Sequence, residues 1–204
     1  MRNITVGIVD YGFGNHASVV NSLRNIGFRT RVSYDPIVLD AVDVLLIPGV
    51  GAFPLAMEAL LKRNLITYLK KQAENHRPII GICLGMQLLA TESYEFKLTS
   101  GLDIIPGQII PLASMKWHIG WNTLDYSPAK FLQGCKTDQN FYFNHSFCYE
   151  GPAEYKLCMT NYQQSFASVI GKDKVIGVQF HPEKSQGAGQ EFLRALILRL
   201  LSYD

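Results

Sequence analysis

The sequence predicts an α/β fold, a single three-layer domain over residues 1–204 with a largely parallel central sheet flanked by helices and antiparallel additions in its C-terminal half. Three observations predict it. Short apolar runs alternate with stretches of helical spacing in the first half. Strand-like segments joined by short turns follow in the second half. We find no repeat, linker or low-complexity stretch, and the length of 204 residues fits one domain.

In the first half, short runs that end at turn residues predict strands. They are Val6–Val9, Phe28–Ser33, Val42–Ile47 and Ile79–Ile82. Apolar residues at helical spacing predict the helices between them, which are Asn15–Ile26, Leu55–Leu60, Leu65–Ala73 and Gly85–Thr91. Strands that alternate with helices indicate right-handed βαβ units and a parallel sheet covered on both faces.

The second half is richer in strands. We predict strands over Gln108–Leu112, Gly120–Leu124, Asn140–Tyr149, Tyr155–Thr160, Ser165–Ile170 and Lys174–Phe180. A last amphipathic helix, from about Gln186 to Leu201, ends the pattern. The short connections between these strands favour antiparallel pairing.

Composition excludes several classes of protein. Hydrophobic residues make up 48% of the chain and charged residues 18%, which argues against disorder. The net charge is +2 and no stripe of Lys and Arg is present, so no nucleic-acid partner is expected. The N-terminal apolar stretch is interrupted by Asp10, which argues against a signal peptide or a membrane segment.

The four cysteines form no CxxC pair and match no zinc spacing, so no metal site is expected. A reduced, cytoplasmic protein is the simpler interpretation. For Cys135, Cys148 and Cys158 we expect packing roles only.

Cys83 is the candidate nucleophile. Residues Gly81–Gly85 read Gly-Ile-Cys-Leu-Gly, follow a buried strand and open a helix, which is the cysteine form of the G-x-S-x-G nucleophile elbow. Side chains larger than glycine would clash on that turn. The helix N-terminus should favour the thiolate, and its N–H groups could face an oxyanion. A lone cysteine is more often a buried small hydrophobe, but the two glycines favour the elbow.

A thiolate nucleophile needs a base and a group that orients the base. His181 follows the last predicted strand and precedes Pro182-Glu183. Ligands of parallel sheets gather at the carboxyl ends of the strands, so His181 could reach Cys83, with Glu183 accepting its Nδ1 proton. His-Pro-Glu alone would more often be a surface turn, and only the elbow makes the catalytic interpretation the better one.

Other segments are less informative alone. Pro48–Gly51 ends a strand and could place an oxyanion donor near Val50 or Gly51, or could be an ordinary turn. Gln87 lies one helical turn after Cys83, where its amide could bind a polar substrate or be solvated. His145 lies in an aromatic strand, which favours a core histidine.

At this point the motifs match a family. Residues 81–87 together with residues 181–183 resemble the class I (triad) glutamine amidotransferases, whose fold is flavodoxin-like. Further segments resemble the glutaminase subunits of imidazole glycerol phosphate synthase: Asp10–Asn15, Pro48–Phe53, His118–Asn122, Tyr142–Ser146 and Gly177–Ser185. They occur from end to end of the chain in the expected order.

The resemblance implies a role for each matched position. Cys83 would attack the carboxamide carbon of glutamine, His181 would move protons, and Glu183 would orient His181. The Leu84 amide and the segment Val50–Gly51 would form the oxyanion hole. Glutamine would be held by Gln87, Glu95, Ser146 and Phe147. No metal or organic cofactor is implied.

The resemblance also implies a partner. In this family the ammonia passes to a (β/α)8-barrel cyclase subunit in a heterodimer, which makes imidazole glycerol phosphate and aminoimidazole carboxamide ribotide in histidine biosynthesis. The positions that match the cyclase interface are Gly12, Asn15, Trp121 and Lys184.

Two departures affect the choice of partner. Lys116-Trp117 stands where the family often has an apolar residue and proline, and Asn144 and Cys148 replace residues that are more often apolar or aromatic. Paralogues with the same triad supply ammonia to a surface-sugar amidotransferase, which is the alternative. A cysteine peptidase is disfavoured by Gln87 and by the Pro-Gly-Val-Gly segment. A non-catalytic module is disfavoured by the intact triad.

Overall fold

The computed structural model describes residues 4–114, 116–126 and 139–202. Its strands are β1 (Thr5–Val9), β2 (Arg29–Ser33), β3 (Val44–Ile47), β4 (Ile79–Ile82), β5 (Glu92–Ser93), β6 (Thr99–Ser100), β7 (Gln108–Pro111), β8 (His118–Asn122), β9 (Asp125–Tyr126), β10 (Phe141–His145), β11 (Phe147–Glu150), β12 (Lys156–Tyr162), β13 (Gln164–Lys172) and β14 (Val175–Val178). Its α-helices are α1 (His16–Asn25), α2 (Pro36–Asp40), α3 (Phe53–Lys62), α4 (Leu65–Glu74), α5 (Leu84–Gln87) and α6 (Gln186–Ser202). Short 3-10 helices cover Ala153–Tyr155 and Pro182–Lys184.

The central sheet has eight strands in the order β2-β1-β3-β4-β14-β13-β12-β9. The pairs from β2 to β14 are parallel, and the pairs from β14 to β9 are antiparallel. This arrangement confirms the predicted α/β class. The C-terminal strand β14 joins the two halves, because it pairs with β4 on one side and with β13 on the other.

Both faces of this sheet are buried. Strands β3, β4 and β14 consist entirely of buried residues, which is the pattern of a parallel strand covered by helices on both sides. One apolar cluster, which includes Leu23 and Phe192, packs α1 and α6 against one face. The other packs α3 and α4 against the opposite face through Phe53 and Leu69.

Two smaller sheets cover the end of the central sheet where β4 and β14 finish. Strand β8 pairs with β10 in a two-stranded ribbon, and β11, β7, β5 and β6 form a four-stranded sheet. Among the described residues, no helix is both long enough and apolar enough to cross a membrane.

The prediction of one strand over Asn140–Tyr149 is wrong. The chain breaks at Ser146 into β10 and β11, which belong to different sheets. The break is stabilised by a hydrogen bond from Nδ1 of His145 to the Phe147 carbonyl, at 2.8 Å. An unbroken aromatic run gives no local sign of such a bend, since both halves keep strand-like patterns.

The predicted helix Gly85–Thr91 is too long, because α5 ends at Gln87. Tighter turn bonds follow it, from Leu89 N–H to the Met86 carbonyl and from Ala90 N–H to the Gln87 carbonyl. The prediction also missed α2, which is capped by Asp35.

The strand predicted over Lys174–Phe180 ends at Val178 in the structure. Past this point the Gln179 N–H still donates to the Ser168 carbonyl of β13 at 2.9 Å, and the His181 N–H then donates to the Tyr142 carbonyl at 2.8 Å. Cys148 and Cys158 are buried in the core, as expected of packing residues, and Cys135 lies outside the described residues.

Candidate active site

Cys83 lies on the sharp turn between β4 and α5. Its φ of 53° and ψ of −109° are strained for a residue with a side chain. A Cβ on Gly81 would lie 2.5 Å from the Gly85 carbonyl oxygen, and one on Gly85 would lie 1.9 Å from the Ile47 carbonyl oxygen. The two glycines are therefore required by close backbone approach, as the elbow predicted.

The expected helix dipole is weak at this site. Helix α5 has only four residues, so its partial charge comes from a single turn of aligned peptides. The first N–H groups of the turn, including that of Leu84, remain available as local donors.

His181 is brought to Cys83 by strand pairing. Strands β4 and β14 are parallel neighbours, with Ile82 opposite Val178, so both functional residues emerge from the same end of the sheet. Nδ1 of His181 donates to Oε1 of Glu183 at 2.8 Å, and the two side chains are only 2% and 3% exposed. Because a carboxylate only accepts, this contact directs Nε2 of His181 away from Glu183.

Three influences set the pKa of His181. Burial lowers it, while the adjacent Cys83 sulfur and the hydrogen-bonded Glu183 carboxylate raise it, and the result is a pKa of about 10. The imidazole is therefore protonated at neutral pH when it faces a thiolate. A positive charge on a neighbouring imidazole favours the thiolate form of a cysteine.

The Cys83 sulfur has two further polar neighbours. The Asn144 carbonyl lies 3.7 Å away and accepts from the thiol, and Nε2 of Gln179 lies 3.8 Å away and donates to the sulfur. Gln179 is completely buried. We did not single out Gln179 from the sequence, because a buried glutamine at the end of a strand has no spacing signal of its own.

A cavity of about 440 Å³ opens beside the sulfur. It brings together the residues predicted for catalysis, oxyanion binding and substrate binding, apart from Glu183 behind His181. Its lining residues are Val50, Gly51, Cys83, Leu84, Gln87, Glu95, Phe96, Asn144, His145, Ser146, Phe147 and His181. A cavity of this size and polarity fits a small polar substrate.

A second cavity, of about 670 Å³, shares Phe96 with the first and lies along α3 and β6. Its lining is mostly apolar, with Leu55 and Leu61 at its edge. It is larger, but it contains neither the thiol nor the imidazole, so we assign the chemistry to the smaller cavity.

The segment Pro48–Gly51 packs directly on the elbow. A Cβ on Gly49 would lie 2.6 Å from the Gly85 backbone nitrogen, and Gly51 has a φ of +111°. The Tyr11 hydroxyl donates to the Pro48 carbonyl at 2.5 Å, and burial, with a smaller effect of Cys83, raises the pKa of Tyr11. Tyr11 is a second residue that the sequence did not single out. It holds this segment at the position predicted for the oxyanion donors.

The predicted substrate residues form one wall of the cavity. Nε2 of Gln87 donates to the Phe147 carbonyl at 3.1 Å and to Oε1 of Gln179 at 3.2 Å. Oε2 of Glu95 accepts from the N–H of Phe53 at 2.6 Å, and burial raises the pKa of this carboxyl while the N–H of Phe53 lowers it. Ser146 lies at the break between β10 and β11 and lines the cavity, while its carbonyl accepts from the Leu112 N–H at 3.0 Å.

The four positions predicted for partner contact are all exposed: Gly12, Asn15, Trp121 and Lys184. Asn15 also caps α1, since its side chain accepts from the Ser18 N–H. Nζ of Lys184 lies 5.8 Å above the Tyr142 ring, and the same ring is 5.8 Å from Trp121 and 6.4 Å from His181. This exposed aromatic surface therefore adjoins the His181 imidazole.

No group of three or more His, Cys, Asp or Glu side chains among the described residues is arranged to hold a metal ion.

The class of the protein follows from its family. The Glutamine amidotransferase class-I model matches residues 7–200, and the chain belongs to that family.

Curated relatives narrow the similarity to one kind of subunit. The chain is 41% identical over 190 residues to a protein of Symbiobacterium thermophilum, covering 91% of this chain and 90% of that protein. It is 40% identical over 195 residues to a protein of Methanothermobacter thermautotrophicus, covering 94% and 97%. With a Lacticaseibacillus casei protein it shares 39% identity over 186 residues, covering 89% of each chain. Each is named imidazole glycerol phosphate synthase subunit HisH.

Solved structures share the fold at lower identity. A crystal structure of a glutamine amidotransferase superimposes with a TM-score of 0.78 at 16% identity, covering 97% of this chain and 99% of that one. PurLQS from Thermotoga maritima gives a TM-score of 0.75 at 17% identity, covering 96% and 98%.

Proposed function

We propose that this chain is the glutaminase subunit of an imidazole glycerol phosphate synthase, which hydrolyses glutamine to glutamate and ammonia. The observation that carries the proposal is the buried chain of contacts from Cys83 through His181 to Glu183, open to a polar cavity of about 440 Å³. The HisH relatives, at 39–41% identity over about nine tenths of the chain, support the assignment to this synthase.

The first half of the reaction forms a thioester. The Cys83 thiolate attacks the carboxamide carbon of glutamine, and the carbonyl oxygen becomes an oxyanion. The Leu84 N–H and the backbone at Val50–Gly51 stabilise this charge. His181 gives its Nε2 proton to the nitrogen, the C–N bond breaks, and ammonia leaves.

The second half releases glutamate. Water attacks the thioester carbon and gives a proton to the now neutral His181, and the C–S bond breaks to regenerate the Cys83 thiolate. Glu183 holds the imidazole in the productive orientation throughout. Gln87, Glu95, Ser146 and Phe147 bind the polar ends of glutamine in the cavity wall.

The ammonia serves a synthase partner in the cytoplasm. We assign the partner as a (β/α)8-barrel cyclase that forms a heterodimer with this chain. The cyclase joins ammonia to a phosphoribulosyl formimino-carboxamide ribotide in histidine biosynthesis. Gly12, Asn15, Trp121 and Lys184 would contact it, and their exposure beside the catalytic end supports this docking face.

Glutamate release from glutamine, measured with and without a barrel cyclase bound to its ribotide substrate, tests the proposal. We expect strong stimulation by the cyclase, since backbone donors at Val50–Gly51 should respond to docking. Hydrolysis at the same rate with and without the cyclase would support the glutaminase activity but refute the cyclase as partner. The partner would then be another synthase, such as a surface-sugar amidotransferase. No hydrolysis under either condition would refute the enzyme assignment.

A further inference from the structure

The carbonyl oxygen of Phe147 accepts two hydrogen bonds inside the protein. Nε2 of Gln87 donates at 3.1 Å and Nδ1 of His145 donates at 2.8 Å. A carbonyl oxygen can only accept, so both groups that face it must carry hydrogen. This fixes the orientation of the Gln87 amide and places the proton of His145 on Nδ1.

The orientation of Gln87 fixes that of Gln179. The same Nε2 of Gln87 lies 3.2 Å from Gln179, which must therefore present its oxygen, Oε1. The Nε2 of Gln179 is then directed the other way, to the Cys83 sulfur at 3.8 Å. Gln179 is completely buried, and Gln87 is 6% exposed where it lines the cavity.

His145, the other donor to the Phe147 carbonyl, is also fixed by its hydrogen bonds. Nε2 of His145 has no proton and accepts from Nδ1 of His118 at 3.1 Å. His118 is fixed in turn, stacked 4.8 Å from Phe143 and 4.4 Å from Tyr162. Burial lowers the pKa of His145 to about 3, which agrees with a neutral ring.

The two polar neighbours of the sulfur favour opposite protonation states. The Asn144 carbonyl only accepts, so it stabilises the thiol through its S–H. The Gln179 N–H only donates, so it stabilises the thiolate. Without the Gln179 N–H, the sulfur would keep the Asn144 carbonyl, which favours the less reactive thiol.

The geometry points to Gln179 as a further catalytic residue, which donates an N–H to the Cys83 sulfur and is held in that orientation by Gln87 and the Phe147 carbonyl. We call these three groups the amide relay. The inference rests on the proposed function, since the thiolate it stabilises is the nucleophile of glutamine hydrolysis. It also links a substrate contact, Gln87, to the reactivity of the sulfur.

The test is the pH dependence of Cys83 alkylation by iodoacetamide, read by mass spectrometry of the Cys83 peptide. In Gln179→Met we expect the alkylation midpoint to rise by about one pH unit. We also expect kcat for cyclase-stimulated hydrolysis to fall roughly tenfold, with a smaller change in KM. Gln87→Met should raise the midpoint by less and raise KM more, although no contact joins Gln87 to the sulfur.

Ser168→Ala is the matched control. Ser168 is completely buried, accepts the Gln179 N–H through its backbone carbonyl, and has a hydroxyl without a partner among the described residues. Its variant should keep the wild-type midpoint. A wild-type midpoint in Gln179→Met, or an equal shift in Ser168→Ala, would overturn the inference.

Gln179→Glu covers the case in which Gln179→Met does not fold. Glutamate has the same size and keeps an oxygen for Gln87, but its carboxylate faces the sulfur without an N–H, so the midpoint should again rise. A wild-type midpoint in this variant would also count against the relay. Alkylation needs no glutamine, so wild-type protein that fails to hydrolyse glutamine would refute the proposed function separately.

Discussion

Cys83, His181 and Glu183 each have a proposed role that follows from their contacts. The sulfur lies on a strained turn, the imidazole is 2% exposed, and the carboxylate that holds it is 3% exposed. Burial makes each electrostatic contact stronger than it would be in water. Because the three proposed roles differ, single substitutions at these positions should lower the rate of glutamine hydrolysis by different factors.

Replacement of the nucleophile should abolish the chemistry and retain the fold. Cys83→Ala removes the sulfur that would attack glutamine, so we expect glutamine hydrolysis to fall by roughly 10³-fold or more. The fold should persist, because the substitution removes only one small buried group. Glutamate release measures the loss, and near-ultraviolet circular dichroism checks the fold. Hydrolysis at the wild-type rate would refute Cys83 as nucleophile.

His181, the proposed base, should contribute more to kcat than Glu183, which orients it. His181→Asn removes proton transfer, whereas Glu183→Gln keeps a side chain of the same size next to the imidazole. We expect the loss of kcat in Glu183→Gln to be roughly 10- to 100-fold smaller than in His181→Asn. Equal losses would mean that Glu183 does more than orient the ring.

The pH profile follows from the pKa of His181. Burial lowers this pKa, but Cys83 and Glu183 raise it to about 10, so the proton donor is lost only as the pH rises to that value. We expect kcat/KM of the wild type to fall on the alkaline side near that pH. In Glu183→Gln, where one raising contact is gone, the fall should begin at lower pH. An unchanged alkaline limb would contradict the assignment.

At this scale the sequence assigns roles to Cys83 and His181, but it assigns none to Gln179 or Tyr11, although both lie in segments that resemble the family. Cys83 and His181 have recognisable neighbours in the chain. Gln179 and Tyr11 act through contacts across the sheet, to Cys83 and Pro48 respectively, and no local spacing encodes such contacts.

The elbow and the segment Pro48–Gly51 work as one unit. The close approach of Gly49 and Gly85, with a virtual Cβ 2.6 Å from the facing nitrogen, leaves no room for side chains between them. The segment proposed to supply oxyanion donors is thereby packed against the proposed nucleophile. Their spacing depends on backbone contact rather than on any one side chain.

Gly85→Ala should disrupt this unit. The added Cβ would lie 1.9 Å from the Ile47 carbonyl oxygen, so the backbone must move, at a cost of about 3 kcal/mol in the free energy of unfolding. Glutamine hydrolysis should fall with it. Urea unfolding measures the first effect and glutamate release the second.

Gly187→Ala is the control for this substitution. It lies in α6 with nothing within 4 Å of its virtual Cβ, so alanine should be neutral or stabilise by at most about 1 kcal/mol. A Gly85→Ala variant as stable as Gly187→Ala would contradict the packing argument.

Element boundaries were predicted where local signals are strong. The strands β1 and β4 and the helix α4 agree with the sequence pattern to within one residue at each end. The break at Ser146 was missed, because it depends on a contact of His145 that the residue pattern does not encode.

For the molecule as a whole, the alternation of strands and helices predicted the parallel half of the sheet. The position of β14 between β4 and β13 was not predicted, since strand order depends on long-range packing. Trp121, which is 48% exposed and lies next to Tyr142, belongs to the face that we propose as the docking surface for the partner.

Trp121→Ala should weaken association with the cyclase without loss of stability. A large exposed aromatic ring at an interface typically contributes enough for a roughly tenfold rise in Kd. Calorimetry of the two subunits measures it. Ile37→Ala, at a side chain that is 80% exposed on α2, is the control and should leave Kd unchanged. If both variants bound the cyclase with equal affinity, Trp121 would not be an interface residue.

Strand β14 pairs with β4 in the sheet, but it comes late in the chain, and this order determines when activity can begin during synthesis. Gln179 follows Cys83 by 96 positions, and His181 comes after it. At translation rates of about 5–20 residues per second, the ribosome needs roughly 5 to 20 s to add that stretch. A nascent chain thus exposes its thiol well before it has a base, and a prematurely terminated product consumes no cellular glutamine.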